Sequence, residues 1–281
     1  MIHYLNGSWV DDENLKISAF DLSVVRGFGV FDFLRTYNKK PFGLGDHSER
    51  LFRSAKSLGI TILKTKKEIG QIVNEGIEKN QKAVSDFNIR LVITGGVGKD
   101  SLSLGKSSLI IIFAKAIDYP QKYYQQGVKV ITFKNTRTIP QAKSLDYQTA
   151  IIALQKAKKE KAVEAIYVSD KSKILEGTTS NFFAVIDDRL VTPKDNILLG
   201  ITRKVIIDLA KKLKIRIFEK DIHSSQIKMF SEAFITASNK EIMPVVKIDE
   251  MVVGNGRVGK ITKQLMKEFW KITRNYSFLS K

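Results

Sequence analysis

Two short segments of this chain carry side chains that could do covalent chemistry. Lys143 lies within residues 139–145, between a predicted strand and a predicted helix, in a stretch that is otherwise nearly neutral. A lysine that is partly removed from water favours its neutral amine, which is the form that attacks an aldehyde. Glu176 lies within residues 175–182, at a strand end in a turn of small polar residues. A carboxylate there could hold a protonated heterocyclic nitrogen.

Two further segments could bind an anion. Residues 198–203 open a predicted helix with a glycine and a hydroxyl group, so that free N–H groups and the positive end of the helix dipole would face a phosphate. Residues 236–239 place small hydroxyl side chains directly after a buried strand. Each segment alone also fits a plain structural role. Together they match pyridoxal 5′-phosphate (PLP), which has a phosphate, an aldehyde and a pyridine nitrogen.

The helices and strands that must position these segments are predicted to form two domains. We predict an α+β N-terminal domain over residues 1–117, a linker over 118–127 and a C-terminal domain over 128–281. The first domain has predicted strands at 1–10, 15–20, 30–37, 89–94 and 109–115, and helices at 48–58 and 66–80. A capping box of Asp46 and Glu49 is expected to open the first helix.

The predicted C-terminal domain alternates strands with a few helices. Its strands are predicted at 128–133, 165–169, 174 onward, 182–186, 189–192 and 233–236, and its helices at 145–159, after Gly200 and at 259–272. Lys143 therefore falls just before a helix, Glu176 at a strand end, and residues 236–239 after a strand.

The composition excludes several classes of site. Cysteine is absent from the 281 residues, which excludes disulfides, thiolate metal sites and thiol nucleophiles. The three histidines are isolated from one another, so we expect no metal site. No apolar run approaches the ~18 residues of a membrane span, and the N-terminal residues do not resemble a signal peptide. We therefore expect a cytoplasmic protein that makes no membrane contact.

The net charge of +18 raises the question of nucleic-acid binding. Lysine clusters at 156–161 and 211–214 lie on predicted amphipathic helices, and on the first of these Ile151, Ile152 and Leu154 are expected to face the interior. Such clusters are typical of solvated faces, and no nucleic-acid-binding motif accompanies them. We expect no specific nucleic-acid binding, and a basic nucleic-acid-binding module is the alternative from another functional class.

Residues 254–260 match two well-known phosphate-loop patterns but lack their context. Too few residues follow for a dinucleotide-binding unit, and Ile261 stands where the nucleotide-binding loop needs serine or threonine. We predict a tight turn that leads into the last helix.

Five ordered motifs, supported by the N-terminal half, carry a resemblance to a known family. They are residues 142–147, 175–182, 192–193, 200–203 and 238–245, together with residues 6–7, 27–32 and 47–51. In this order they resemble the class IV, fold type IV, PLP-dependent aminotransferases, which include D-amino-acid transaminases, branched-chain aminotransferases and aminodeoxychorismate lyase. The resemblance implies a two-domain fold of mixed α+β or α/β class, with a small N-terminal α/β domain and a larger C-terminal pseudo-barrel domain.

The resemblance also implies roles for individual residues. Lys143 resembles the Schiff-base lysine and Glu176 the partner of the pyridine nitrogen. The remaining cofactor-binding residues would be Arg50, Ile201, Thr202 and Ser238 on the phosphate, Tyr147 near the phenolic oxygen and Leu198 against the ring. The candidate substrate-binding residues are Phe31, Arg26, Arg35, Arg90 and Asn239, and each arginine could equally be a surface or structural ion-pair residue.

The implied activity moves an amino group between an amino acid and a 2-oxo acid such as 2-oxoglutarate or pyruvate. Phe33 stands where branched-chain enzymes carry glycine, Asp32 where the lyase has threonine, and Gly95 where several D-amino-acid enzymes have arginine. The first two departures count against a standard branched-chain enzyme and against the lyase, and the third counts against a standard D-amino-acid pocket. A slight preference remains for a transaminase of D-amino-acid type with a non-standard carboxylate clamp, and branched-chain transamination or aminodeoxychorismate cleavage are the alternatives. The resemblance further implies a homodimer.

Overall fold

The computed structural model describes residues 1–276, which form two compact units. The first unit contains Met1–Ile117, Gln141–Tyr147 and the described residues from Thr273 onward, and the second contains Asp118–Pro140 and Gln148–Ile272. Residues 118–127, predicted as a linker, contain a helix and belong to the second unit. The segment around Lys143 belongs to the first unit, although the residues on both sides of it belong to the second.

The first unit is a six-stranded antiparallel sheet with two long helices. Its strands are β1 (Ile2–Leu5), β2 (Ser8–Asp11), β3 (Gly29–Tyr37), β4 (Lys40–Pro41), β5 (Phe87–Thr94) and β6 (Leu109–Lys115), in the order β2-β1-β6-β5-β3-β4. Its helices are α1 (Leu22–Val25), α2 (Leu44–Ser57) and α3 (Lys66–Asn80). The Asn6–Gly7 turn between β1 and β2 has positive φ at both residues, as a two-residue hairpin requires.

Strand β3 has two faces of different character. Val30, Asp32, Leu34 and Thr36 are buried, whereas Phe31, Phe33 and Arg35 are half-buried. This alternation follows from the two-residue period of a strand, and it matches the apolar pattern of the sequence. The buried apolar residues of β3 join those of α2, α3, β5 and β6 in a single core.

The second unit is built around a ten-stranded mixed sheet. Its strands are β7 (Val128–Lys134), β8 (Glu164–Val168), β9 (Lys173–Gly177), β10 (Asn181–Ile186), β11 (Arg189–Thr192), β12 (Ile217–Glu219), β13 (Ile222–His223), β14 (Glu232–Ala237), β15 (Glu241–Ile248) and β16 (Met251–Val252). Its helices are α4 (Gln121–Gln126), α5 (Gln148–Lys159), α6 (Ile201–Lys212) and α7 (Lys260–Arg274), with a short 3₁₀ helix at Ser224–Met229.

Six of these strands form a closed ring. The pairing runs β10-β14-β15-β7-β8-β9, and β9 then pairs back to β10 through Glu176 and Asn181. Closure of a sheet in this way satisfies the backbone hydrogen bonds that an open edge would leave exposed. The ring brings the last residues of β9 and the first residues of β10 together, which fixes the backbone on both sides of the 177–180 turn.

Three local predictions were wrong. Residues 15–20 form no strand, because the chain there enters α1, which Asp21 caps through the N–H of Ser23. Helix α2 begins at Leu44, after Gly43 in a left-handed conformation, so Asp46 and Glu49 lie inside the helix and form no capping box. Helix α5 begins at Gln148, because the residues around Ser144 pair with β3 in an extended conformation.

The buried face of α5 also differs from the prediction. Ala150, Ala153 and Ala157 are buried, whereas Ile151 and Ile152 are exposed. Ala153 and Ala157 pack in a cluster with residues of β7, β8 and β9. Small side chains let the helix pack closely against the sheet. Alanines therefore occupy the buried face, although isoleucine is more hydrophobic.

The glycine-rich residues 254–260 form the predicted turn before α7. Gly254 and Gly256 have positive φ, and the carboxylate of Glu232 accepts hydrogen bonds from the N–H groups of Ile261 and Thr262. The start of α7 is thus capped by a protein carboxylate. Among the described helices, none is long and apolar enough to cross a membrane.

We expect the substitution Gly76→Ala to destabilise the first unit. A Cβ atom on Gly76, which lies in α3, would be 2.0 Å from Cζ of the buried Phe113. Relief of that overlap should lower the free energy of unfolding by about 1–3 kcal/mol, measured by denaturant titration. Gly70→Ala in the same helix is the control, since its Cβ would only touch Leu44 at 3.8 Å. Equal losses in both variants would contradict the packing described here.

Candidate functional site

The main chain at Lys143 is fixed by hydrogen bonds from two elements of the first unit. The N–H of Phe31 donates to the carbonyl of Lys143 (2.9 Å), and the N–H of Leu145 donates to the carbonyl of Gly29 (2.9 Å). The N–H of Lys143 donates to Oγ of Ser54, on α2 (3.0 Å). The segment therefore runs antiparallel to the start of β3 as a short added strand.

The close approach of this segment depends on Gly29. A Cβ atom there would lie 2.6 Å from Cδ1 of Leu145 and 2.8 Å from the carbonyl oxygen of Ile93. No side chain fits in that space without a shift of the backbone. The glycine at the start of β3 thus allows the Lys143 segment to pair with the strand.

The side chain of Lys143 lies beside two aromatic rings. Its Nζ atom is 4.5 Å from the ring centroid of Phe31 and 3.4 Å from the hydroxyl of Tyr147. The two rings contact each other edge to face, with centroids 5.3 Å apart. Lys143 is half-buried in this position. The amine therefore has an apolar ring on one side and the hydroxyl of Tyr147 on the other.

A buried charged cluster lies on α2 and β3, on the core side of the same sheet. Asp32 accepts hydrogen bonds from Nε and Nη2 of Arg50, both at 2.8 Å, and its Oδ1 is 2.6 Å from Nδ1 of His47. All three side chains are at most 5% exposed. This bidentate pair fixes the plane of the Arg50 guanidinium.

The ionisation of this cluster follows from its neighbours. Burial would raise the pKa of Asp32, but the charge of Arg50 and the hydrogen bonds from Arg50 and His47 outweigh it and hold that pKa well below its ordinary value. Burial lowers the pKa of His47 more than Asp32 raises it, and the charges of Arg50 and Lys143 act in the same direction as burial. The cluster is therefore a carboxylate, a guanidinium and a neutral imidazole.

In the second unit, Glu176 is buried and held at both oxygens. Its Oε2 accepts a hydrogen bond from the N–H of Leu198 (3.0 Å), and its Oε1 is 3.2 Å from Nη1 of Arg137. Sequence reasoning missed Arg137, because the ion pair joins residues 39 positions apart and no local pattern marks it. The only sequence signal is an arginine in an otherwise nearly neutral stretch before Lys143.

The turn that follows Glu176 is braced by a second buried ion pair. Glu164, which is 0% exposed, accepts hydrogen bonds from the hydroxyls of Thr178, Thr179 and Ser180 and lies 3.2 Å from Nζ of Lys240. Burial would raise the pKa of Glu164, but the Lys240 charge and these hydrogen bonds lower it overall. Sequence reasoning missed this pair as well.

The start of α6 fits an anion. Among residues 1–276, no side chain caps this helix, and its first turn contains no acidic residue. The N–H groups near Ile201 and Thr202 therefore carry the positive end of the helix dipole. Leu198, Ile201 and Thr202 are buried, and Ser238 lies half-buried in the turn between β14 and β15. A phosphate is the anion that such a helix start commonly binds.

One buried hydroxyl in the second unit supports the presence of a ligand. Oγ1 of Thr236 is buried and has no hydrogen-bond partner among the described residues. A buried hydroxyl without a partner is costly unless a ligand or water supplies one. Thr236 pairs across the sheet with Asn181, which pairs with Glu176, so these three polar residues form a row on one face. The chemistry of this row and of the α6 start fits PLP.

The predicted substrate residues are dispersed. Arg90 on β5 is exposed beside Phe33 of β3, and Arg35 lies over the ring of Tyr37. Arg26 is exposed and bonds to Ser101, while Asn239 lies half-buried in the β14–β15 turn of the second unit. Within residues 1–276, no group of three or more His, Asp or Glu side chains is arranged to hold a metal ion.

The chain matches known proteins along almost its full length. Residues 29–248 match the family model described as amino-transferase class IV. A protein of Methanocaldococcus jannaschii that is provisionally named a branched-chain-amino-acid aminotransferase is 39% identical over 273 residues, which is 95% of this chain and 94% of that protein. The D-alanine aminotransferase of Staphylococcus epidermidis is 32% identical over 280 residues, which is 98% of each chain.

Solved structures also match the whole chain. The branched-chain amino acid aminotransferase of T.th., bound to pyridoxamine 5′-phosphate, superposes with a TM-score of 0.90 at 25% identity and covers 98% of this chain and 94% of its own. Other structures of that enzyme contain 4-methylvaleric acid or N-(5′-phosphopyridoxyl)-L-glutamate.

We expect His47 to make the stability of the protein depend on pH. The pKa of His47 is lowered in the folded state, so the unfolded chain takes up a proton first as the pH falls below the ordinary value of about 6.5. The free energy of unfolding should therefore decrease between pH 7 and pH 5, and His47→Gln should make that decrease smaller. His223→Gln, at an exposed position, should keep the wild-type pH dependence. Identical pH profiles for His47→Gln and wild type would contradict the assignment of a neutral buried imidazole.

Proposed function

Because the chain belongs to the class IV aminotransferases, we propose that it transfers the amino group of branched-chain and other aliphatic amino acids to 2-oxoglutarate. The enzyme is a PLP-dependent transaminase of fold type IV, with an N-terminal antiparallel sheet domain and a C-terminal pseudo-barrel. The observation that carries the substrate proposal is the apolar surface beside Lys143.

We propose cofactor-binding roles for individual residues. When bound, PLP supplies an aldehyde that condenses with amines and a ring that accepts electrons from the substrate. Lys143 is the amine that binds the aldehyde carbon, and Glu176 binds the ring nitrogen. The other proposed cofactor ligands are Ile201, Thr202, Ser238 and Arg50 at the phosphate, Tyr147 near the phenolic oxygen and Leu198 against the ring.

Lys143 is also the proposed general base and acid. The substrate amine would take the place of Nζ on the aldehyde carbon, and the freed Nζ would then carry the proton from the substrate Cα to that carbon. The hydroxyl of Tyr147, 3.4 Å away, orients Nζ, and the ring of Phe31 keeps water from that side. The fixed main chain of residues 143–145 limits how far the amine can move between these tasks.

Glu176 is proposed to keep a proton on the ring nitrogen. The guanidinium of Arg137 and the N–H of Leu198 hold the two carboxylate oxygens of Glu176 in place. A carboxylate fixed in this way can accept a hydrogen bond from a protonated ring nitrogen. The ring thereby remains a good electron acceptor while Lys143 removes the Cα proton.

The substrate preference rests on the half-buried face of β3. Phe31 and Phe33 lie on this face, and Val92 of β5 pairs with Phe31, so an aliphatic side chain would find apolar partners near Nζ of Lys143. Arg90 pairs with Phe33 at the same face and is the proposed partner of a carboxylate. The phosphopyridoxyl-glutamate bound by the T.th. enzyme supports 2-oxoglutarate as acceptor.

The packing at Gly95 argues against the D-amino-acid preference drawn from sequence. A Cβ atom at Gly95 would lie 2.9 Å from Cβ of Leu22 and 3.1 Å from Cδ1 of Phe28. An arginine at this position, as several D-amino-acid enzymes have, would displace both side chains. D-alanine transamination is nonetheless the second candidate, because the D-alanine aminotransferases of staphylococci align with 98% of this chain.

We also propose that the enzyme is a homodimer. Phe20, Val24 and Leu102 of the first unit are 77%, 56% and 82% exposed. Their segments are joined by a hydrogen bond from the N–H of Leu22 to the carbonyl of Gly96 and by another from Arg26 to Ser101. A second copy of the chain that covers this apolar surface would remove it from water.

We expect borohydride to attach the cofactor to Lys143. Reduction of the PLP-loaded enzyme should add the mass of the reduced cofactor to the peptide that contains Lys143. Lys143→Ala should lose that label, and its turnover rate should be about 10²–10⁴-fold lower than that of the wild type. Lys161→Ala, at an exposed lysine, is the control and should keep both. A label on another peptide, or wild-type turnover in Lys143→Ala, would contradict the assignment.

We expect activity measurements with a panel of amino donors to distinguish the candidate reactions. With 2-oxoglutarate as acceptor, kcat/KM for L-leucine, L-isoleucine and L-valine should exceed that for D-alanine by about tenfold or more, given what apolar contacts contribute to selectivity. The reverse order would favour the D-alanine candidate. Release of pyruvate from aminodeoxychorismate without an acceptor would favour the lyase.

We expect light scattering to give a mass of about twice the 31.8 kDa of one chain. Leu102→Asp should lower the fraction of dimer, because it places a charge on the covered apolar surface. Leu63→Asp is the control, since Leu63 is also exposed, at 61%, but lies on another segment. A wild-type monomer at micromolar concentration would rule out the proposed dimer.

A further inference from the structure

The peptide group of Leu198 is held from both sides by side chains. Its N–H donates to Oε2 of Glu176 (3.0 Å), and its carbonyl accepts a hydrogen bond from Nδ2 of Asn181 (2.7 Å). Leu198 lies outside any helix or strand, in the segment just before α6. The two side chains therefore supply the hydrogen bonds that secondary structure would otherwise provide to this buried residue.

The two side chains that hold Leu198 belong to one cross-strand pair. Glu176 on β9 and Asn181 on β10 are directly opposite each other at the point where the strand ring closes. Directly paired residues project to the same face of a sheet. The spacing of the two hydrogen bonds on Leu198 is thus set by the backbone of the ring.

Asn181 also contacts the start of α6. A Cβ atom on Gly200, which precedes the first helical residue, would lie 2.0 Å from Oδ1 of Asn181. The amide oxygen therefore lies directly against the Gly200 backbone, and only glycine leaves room for it. Asn181 is 5% exposed, so its amide has little freedom to turn elsewhere.

We propose that Asn181 is a positioning residue that couples Glu176 to the start of α6. Through the Leu198 peptide and the Gly200 contact, Asn181 fixes the separation between the carboxylate and the helix N–H groups. The pyridine nitrogen and the phosphate of PLP are parts of one small rigid molecule. Tight binding therefore requires that the Glu176 carboxylate and the helix N–H groups are already at the matching separation before the cofactor binds. This inference rests on the proposed roles of Glu176, Ile201 and Thr202.

The test uses two substitutions and a matched control. Asn181→Ala removes the amide, and Asn181→Leu removes its hydrogen bonds while it keeps the branched shape of the side chain. Asn80→Ala is the control, because Asn80 is equally buried and bonds to the backbone of Ile2 and Gly76, but lies in the first unit. All three variants lose a buried hydrogen-bonded amide, so all should lose thermal stability.

Only the Asn181 variants should lose cofactor affinity. Their Kd for PLP, from titration of the apoenzyme, should rise about tenfold or more, as expected when a buried polar group loses its partner. Amide hydrogen exchange of the apoenzyme at residue 198 should be faster than in wild type. Asn80→Ala should leave the Kd and this exchange rate unchanged. A wild-type Kd with wild-type exchange in a folded Asn181 variant overturns the proposal.

The wild-type protein provides a test that does not depend on the folding of any variant. In the apoenzyme the Leu198 amide should be protected from exchange, although it lies in no helix or strand. Exchange as fast as that of an exposed amide overturns the proposal, even if neither Asn181 variant folds. Failure of the wild-type protein to bind PLP would instead contradict the proposed function. Faster exchange at Leu198 in a folded Asn181 variant than in the wild type would then still support the role of Asn181 in holding this peptide.

Discussion

The hydrogen bonds that fix the main chain of Lys143 to β3 and α2 are the constraint on which the catalytic account depends. A flexible lysine on a mobile loop would have no preferred partner, whereas a lysine on a fixed main chain can present Nζ repeatedly to one place. The Phe31 N–H, the Leu145 N–H and the Ser54 hydroxyl provide that fixation. Gly29 makes it sterically possible, because any larger residue there would push the segment away from the strand.

In the proposed function, the second unit has a different requirement, which is to hold the cofactor at two ends. Strand ring closure at Glu176 and Asn181 fixes one end, and the start of α6 provides the other. The buried Glu164–Lys240 pair ties the 177–180 turn to the β14–β15 turn. Removing either partner would leave a buried charge uncompensated, so the pair specifies the arrangement of both turns even where it adds little net stability.

Local pattern was enough to predict most elements and the segments that carry the chemistry. The alternation of β3 and the glycine before α6 are both encoded by neighbouring residues. The fold type was predicted from the motif order and is confirmed by the comparisons. The contacts of Glu176 with Arg137 and of Asp32 with Arg50 could not be predicted, because they join residues that only the tertiary fold brings together. The burial of α5 through alanines rather than isoleucines reflects a packing distance that hydrophobicity does not encode.

A crystal structure of the enzyme grown with PLP tests the central claim most directly. The account predicts a covalent bond between Nζ of Lys143 and the cofactor, with the Glu176 carboxylate within hydrogen-bond distance of the ring nitrogen and the phosphate at the N–H groups of Ile201 and Thr202. A cofactor bound to another lysine, or a ring nitrogen that faces away from Glu176, would contradict it.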